Sequence, residues 1–215
     1  MAEMGSERRR SLEENLEMVQ NLYNFIERIS STLPEAINTF RAQTPDGFVA
    51  TSERLLAVAI DHLESQGNYL RGASEDAITS CVIGFFNRYG IRASSQTNSR
   101  GHVDVFIEHS FQPGLKVCGE AKIWRGVKYH IDGLGQVLSY CTGRLPYCFM
   151  LEYVANGSIS ESVLKLRNKL DVELPENQLS ASIKHSTMQW TLVTFHLHSS
   201  GEKLKVLHAA SNLSK

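Results

Sequence analysis

The residues best suited to chemistry lie in Lys116-Val-Cys-Gly-Glu-Ala-Lys-Ile-Trp124. Strand periodicity puts Lys116, Cys118, Glu120, Lys122 and Trp124 on one face and Val117, Gly119, Ala121 and Ile123 on the other. Glu120 and Lys122 therefore point the same way. The second face is small and apolar, as expected where a helix packs closely on a sheet, so the strand reads as central and its charges need partners or a task. Asp104, in Gly101-His-Val-Asp-Val-Phe-Ile107, lies on the preceding strand, which returns antiparallel through a turn at Pro113 and Gly114. A symmetric turn there sets Asp104 nearer Ile123 than Glu120; placing the two carboxylates side by side requires an asymmetric loop or a bulge. Two carboxylates at one site offer hard oxygen ligands to Mg²⁺, which can activate water for in-line attack on phosphorus. Lys122 beside them can stabilise the charge that develops. An isolated E-x-K also fits a structural ion pair on a half-exposed strand, so the surrounding elements must decide between the two.

Those elements can be read from periodicity and caps. Leu12, Leu16, Val19, Tyr23, Ile26, Ile29, Leu33, Ile37 and Phe40 recur at helical steps, with Pro34 marking a break. After a loop through Thr44 to Gly47, Thr51 or Ser52 caps a second helix ending near Gly67. Ser74 caps a third, with Glu75 and Asp76 in its first turn and Gly90 as its stop. Extended runs follow at 91–95, 103–107 and 115–124, then a helix over 129–142, a buried strand over 147–154 and a helix over 159–170. The runs 189–198 and 203–208 pair as a terminal hairpin.

In this order the chain resembles the PD-(D/E)XK nuclease superfamily, the restriction-endonuclease-like fold. The resemblance covers about residues 74–154. It rests on Glu75 at the helix start, Asp104 in G-H-V-D-V, Glu120-Ala-Lys122 followed by Ile-Trp-Arg-Gly, and Gln136 in the next helix. Val103 stands where the literal motif has proline. The resemblance implies an α/β domain with a mixed central sheet flanked by helices over residues 69–215, preceded by a helical N-terminal segment over residues 1–68. It implies that Asp104 and Glu120 bind Mg²⁺ (or Mn²⁺), that Lys122 is the catalytic cation, that Glu75 is an outer ligand with Asp76 as the alternative, and that Gln136 supports the site. Phosphodiester hydrolysis follows, on DNA, in the manner of a restriction or antiviral-defence endonuclease. The alternatives are an RNase or structure-specific nuclease, and a catalytically silent nuclease-fold protein used for nucleic-acid binding or assembly.

Composition is compatible with this. The net charge is -1, yet residues 88–144 hold eight basic residues against four acids, a local excess suited to phosphates. Arg125, Lys128 and His130, just after the E-x-K strand, and Arg100 before Asp104 are the candidate nucleic-acid contacts. Trp124 suits either stacking on a base or core packing, and His102 is equally ambiguous. His196 and His198 share a strand face but lack a third ligand at convincing spacing, so they read as a surface pair. The four cysteines show no C-x-x-C spacing, which points away from a zinc site or disulfide framework and towards a reducing cytoplasm. No apolar run approaches the roughly 20 residues of a membrane span, so no membrane partner is expected. Cutting both strands of a duplex calls for two active sites, so a homodimer is expected, with the N-terminal helices as its interface or as the dock for a partner protein.

Overall fold

The computed structural model describes residues 15–25, 38, 41–98, 101–141 and 146–214. Residues 15–25 are helical and leave Leu16, Met18, Val19, Leu22, Tyr23 and Phe25 exposed. The rest of the expected first helix, and Arg100, fall outside the described residues.

The second helix begins earlier than expected. Helix α1 spans Pro45–Ser65, with the Thr44 hydroxyl accepting from Gly47 N at 3.2 Å and Pro45 opening the first turn. Proline suits that position because its missing N–H would have no intrahelical acceptor there, so the residues read as a loop are the cap itself. After the short helix α2 (Gly67–Leu70), α3 (Glu75–Arg88) is capped by Ser74 as the sequence predicts, its hydroxyl accepting from Ala77 N at 3.2 Å. Then come β1 (Arg92–Asn98), β2 (Gly101–Glu108), β3 (Lys116–Ile123), α4 (Val127–Tyr140), β4 (Tyr147–Val154), α5 (Ile159–Glu173), β5 (Ile183–Lys184), β6 (Thr191–Leu197) and β7 (Lys203–Asn212).

The seven strands form one mixed sheet in the order β1-β2-β3-β4-β7-β6-β5. β3 and β4 are parallel, as are β4 and β7, while the remaining neighbours are antiparallel. The chain is thus an α/β protein with helices on both faces. One face carries α1 and α3, whose Phe48, Leu55, Ile78 and Phe86 share a core with Val105, Ala121, Phe149 and Leu207. The other carries α4 and α5, whose Leu134, Val137, Leu166 and Leu170 pack on Cys118, Met150 and Val206. Helix α1, expected within a separate segment ending at residue 68, is built into the first of these cores. Lys205 Nζ also reaches Glu53 at 2.6 Å, and Asn212 N donates to Glu64 at 2.8 Å. The terminal hairpin forms, but β7 inserts between β4 and β6, a placement set by burial of both its faces.

The register of β2 on β3 positions the candidate site. Glu108 faces Lys116 and Val105 faces Gly119, so one further step sets Asp104 across from Glu120. The asymmetric loop this requires is shaped by buried His109, whose Nδ1 accepts from Phe111 N at 3.1 Å and Gln112 N at 3.0 Å. The turn is thereby centred on Gln112, ahead of Pro113 and Gly114. On the opposite face of β3, a Cβ at Gly119 would lie 2.3 Å from the Phe149 ring. Because Phe149 is itself buried and cannot retreat, Gly119→Ala is expected to lower stability by about 1–3 kcal/mol. Urea unfolding measures this, and an unchanged midpoint would contradict the packing described.

A candidate carboxylate and lysine site

β2 and β3 stop pairing at Val105 and Gly119, and carboxylates fill the fork beyond. The N–H groups of Ala121 and Ile123 point towards β2, since the intervening residues face the β4 ladder. No β2 carbonyl receives them. Asp104 Oδ2 accepts from Ala121 N at 3.0 Å, and Glu75 Oε2, from the first turn of α3, accepts from Ile123 N at 2.7 Å. The helix acid and the strand acid are thus held by backbone hydrogen bonds to the strand that carries Glu120 and Lys122. Of the two helix acids, Glu75 is the one bonded to β3, and Asp76 is exposed on the rim.

Lys122 joins the three carboxylates. Its Nζ lies 2.5 Å from Glu120 Oε1, 3.4 Å from Asp104 Oδ2 and 3.7 Å from Glu75 Oε1. Glu120 is fully buried, and no hydrogen-bond donor reaches its Oε2. Burial pushes its carboxyl up to about 7; the Lys122 hydrogen bond opposes that shift, and the neighbouring Asp104 adds to it. For Lys122, burial works against the ammonium, but the Glu120 hydrogen bond and the fields of Glu120, Asp104 and Glu75 outweigh it and hold the pKa above the ordinary lysine range. With every group ionised the cluster would carry three negative charges and one positive.

Helix α4 closes the site from its side of the sheet. A Cβ at Gly133 would stand 2.9 Å from Met150 Cε and 3.7 Å from Lys122 Cε, so this glycine lets the helix settle over the lysine stem. Gln136, the expected support, is exposed and donates to Tyr140 Oη at 2.6 Å. Burial raises the Tyr140 phenol, opposed by the Gln136 hydrogen bond and reinforced by Glu120 and Asp104, which places Tyr140 within the field of the carboxylates. On the α3 side, a cleft of about 280 Å³ is lined by Glu75, Asp76, Thr79, His102 and Asp104. His102 Nε2 is 4.0 Å from Asp104 Oδ1.

Several expectations change. His130 is not a loop residue near phosphates: it sits in α4, buried, with Nδ1 2.7 Å from Glu152 Oε1 and Nε2 2.9 Å from His208 Nδ1. His196 is likewise buried, between Thr194 and the Glu176 carbonyl, so His196 and His198 are not a surface pair. Trp124 packs against the α4 and α5 core. Arg125 and Lys128 are exposed, Arg125 over the Tyr129 ring at 5.2 Å and Lys128 bonded to Asp132 at 2.8 Å. Two of the eight basic residues are taken up by acids of the fold, Lys116 by Glu108 at 3.1 Å and Lys122 by the carboxylates. Three of the four scattered cysteines also meet: Cys118 and Cys148 are register partners, and Cys141 Sγ is 3.7 Å from Cys118 Sγ. Glu152 and His208 escaped the sequence reading. The available signal was an acid at the sixth position of Tyr-Cys-Phe-Met-Leu-Glu-Tyr-Val, in a strand buried at every position.

No family model, curated protein or solved structure matches this chain. Its class rests on its own geometry, an α/β protein with a seven-stranded mixed sheet between helical layers. Its distinguishing feature is the cluster of three carboxylates and one lysine where β2 leaves β3. Among the described residues, no group of three or more His, Cys, Asp and Glu side chains is arranged to hold a metal ion; Glu75, Asp104 and Glu120 converge on Lys122 instead.

A carboxyl whose folded pKa lies above its unfolded value of about 4.3 contributes stability at low pH that is lost as pH rises through the folded value. Glu120 should therefore cost the fold stability between about pH 4.3 and about 7. That portion of the pH dependence should vanish in Glu120→Gln. Urea midpoints across this range test it, and parallel curves for the two proteins would rule out a raised Glu120.

Proposed function

We propose that this protein is a Mg²⁺-dependent nuclease that hydrolyses phosphodiester bonds, with DNA as the preferred substrate. The observation that carries the reading is the charge imbalance at the fork, where three carboxylates share one ammonium and a buried Glu120 oxygen meets no donor. Such a site is relieved either by a proton on Glu120 or by a cation. Mg²⁺ is commonly held by only one or two carboxylates with water completing its shell, so the lack of a three-ligand cage is compatible with it. Asp104 and Glu120, both beside Lys122 Nζ at the β2–β3 fork, would hold the ion; Glu75, tied to Ile123 N, would act from the outer shell. Mn²⁺ would substitute. The bound ion supplies Lewis acidity towards a phosphodiester oxygen.

The protein's own groups do the rest. Lys122, freed from part of its ion pairing, directs its ammonium at the negative charge that builds on the phosphoryl oxygens, an interaction stronger there than in bulk water because the side chain is mostly enclosed. The acidic cleft repels a phosphate until cations occupy it, which makes substrate binding itself depend on the metal. Arg125 and Lys128, exposed at and just beyond the end of β3, suit contacts to phosphates beside the scissile one. A homodimer belongs to this proposal because two cuts on a duplex call for two active sites, with the N-terminal helices as its interface or as the dock for a partner, and a role in restriction or phage defence rests on the resemblance alone.

Purified protein incubated with plasmid, linear duplex, single-stranded DNA and RNA should cut a DNA substrate with Mg²⁺ or Mn²⁺ and not with EDTA. Asp104→Ala and Lys122→Ala should each lower the rate by about 100-fold or more while leaving the protein folded. Cleavage of RNA alone would move the substrate class. Failure to bind Mn²⁺, together with no cleavage of any substrate, would overturn the reading.

A further inference from the structure

Five polar groups line up through the core on the α4 side of the sheet. Glu152 Oε1 lies 2.7 Å from His130 Nδ1, His130 Nε2 is 2.9 Å from His208 Nδ1, and His208 Nε2 is 2.7 Å from Thr194 Oγ1. Thr194 Oγ1 is in turn 2.7 Å from His196 Nε2, and His196 Nδ1 is 2.9 Å from the Glu176 carbonyl oxygen. Each of the five residues is at most 2% exposed. Both nitrogens of all three imidazoles are engaged, which fixes the ring orientations.

The hydrogens can be counted. Five contacts at hydrogen-bond distance need five hydrogens, one in each. Three neutral imidazoles and one hydroxyl provide four, and the chain ends on acceptors, an ionised carboxylate and a carbonyl. Any arrangement of four leaves two lone pairs facing each other in a buried gap of 2.9 Å or less, with the cost of an unsatisfied buried polar contact.

We propose that this chain holds one proton beyond neutral imidazoles and an ionised carboxylate, and that His130, clamped by it, is the positioning residue that seats α4 over Lys122. Five hydrogens also fit with the extra proton on His208 or His196; the Glu152 carboxylate 2.7 Å from Nδ1 favours His130, and with the proton there the chain runs in one polarity. The extra proton lies between Glu152 and His130 Nδ1, His130 donates from Nε2 to His208, His208 donates from Nε2 to Thr194, Thr194 donates to His196 Nε2, and His196 donates from Nδ1 to Glu176. Burial, together with the neighbouring His130 and His196, keeps His208 well below the ordinary histidine range, and burial also lowers His196. Each then carries a single proton, as this polarity requires.

Among the described residues, the charges facing the chain from outside it are Lys122 at one end and Glu176, whose field raises His196 against its burial, at the other. Lys122 lies beside Glu152 in the β3–β4 ladder, while α5 presents Ser162, Val163 and Leu166, and Trp124 stands 6.4 Å from the His130 ring. Gly133, which packs over the Lys122 stem, is one turn beyond His130 on α4. The seating of Lys122 rests on the nuclease reading only in its consequence for activity; the proton count does not.

Two measurements on the full chain test this without any substrate. In protein carrying ¹⁵N-histidine, long-range ¹H–¹⁵N correlation at about pH 7.5 should show His208 protonated at Nε2 and His196 at Nδ1. A proton on His208 Nδ1 would reverse the chain and overturn the proposal. Glu152→Gln supplies the fifth hydrogen permanently from its carboxamide. Between about pH 7 and pH 9 the wild-type unfolding constant should therefore rise more steeply than that of the variant, by up to about tenfold per pH unit, the slope of one bound proton. Equal slopes would overturn the extra proton, and should the variant fail to fold, the tautomers still decide. Where cleavage is found, its rate should fall above the same pH in wild type and not in Glu152→Gln; unaltered profiles in both would remove His130 from its positioning role.

Discussion

A single ammonium shared among three carboxylates governs this structure. Lys122 can lie in a mostly enclosed site only because Glu120, Asp104 and Glu75 surround it, and desolvating a charge without such partners costs several kcal/mol. The converse holds for the acids. One lysine does not neutralise three carboxylates, and the deficit falls on Glu120, the member with no access to solvent. Burial is the main cause of its raised pKa, and the neighbouring Asp104 adds to it.

The fold creates this site by letting two strands part. While β2 pairs with β3, backbone carbonyls satisfy the β3 amides. Once the strands diverge, the Ala121 and Ile123 amides would be left bare, and the carboxylates of Asp104 and Glu75 take them. Each acid therefore closes the sheet through one oxygen while its carboxylate also faces the lysine. The Ser74 cap ends α3 where its first-turn glutamate reaches the fork. The α4 side contributes differently, through Gly133 against the lysine stem and the buried histidine chain beneath.

Much of this was legible in the linear chain because it depends on local rules. Period-two alternation put Glu120 and Lys122 on one face, and Gly119 on the other meets the Phe149 ring. The Ser74 cap and the apolar run of β4 were equally plain. Local rules also misled. Thr44 and Pro45 looked like a loop because a cap and a turn use the same residues, and His130 looked exposed because nothing nearby in sequence reveals that Glu152 and His208 lie against it.

The sequence by itself determined which residues share a strand face, where most helices start and stop, and that an acid–x–lysine pair lies on a central strand. Only the tertiary structure decided that His109 shifts the β2–β3 turn so that Asp104 meets Glu120, that Glu75 rather than Asp76 reaches the fork, and that β7 slides between β4 and β6 to bring His208 to His130. Face and cap preferences follow from steric and hydrogen-bonding rules acting over a few residues. Register, strand order and buried polar pairing depend on groups far apart in the chain, and their energies exist only once the sheet has assembled.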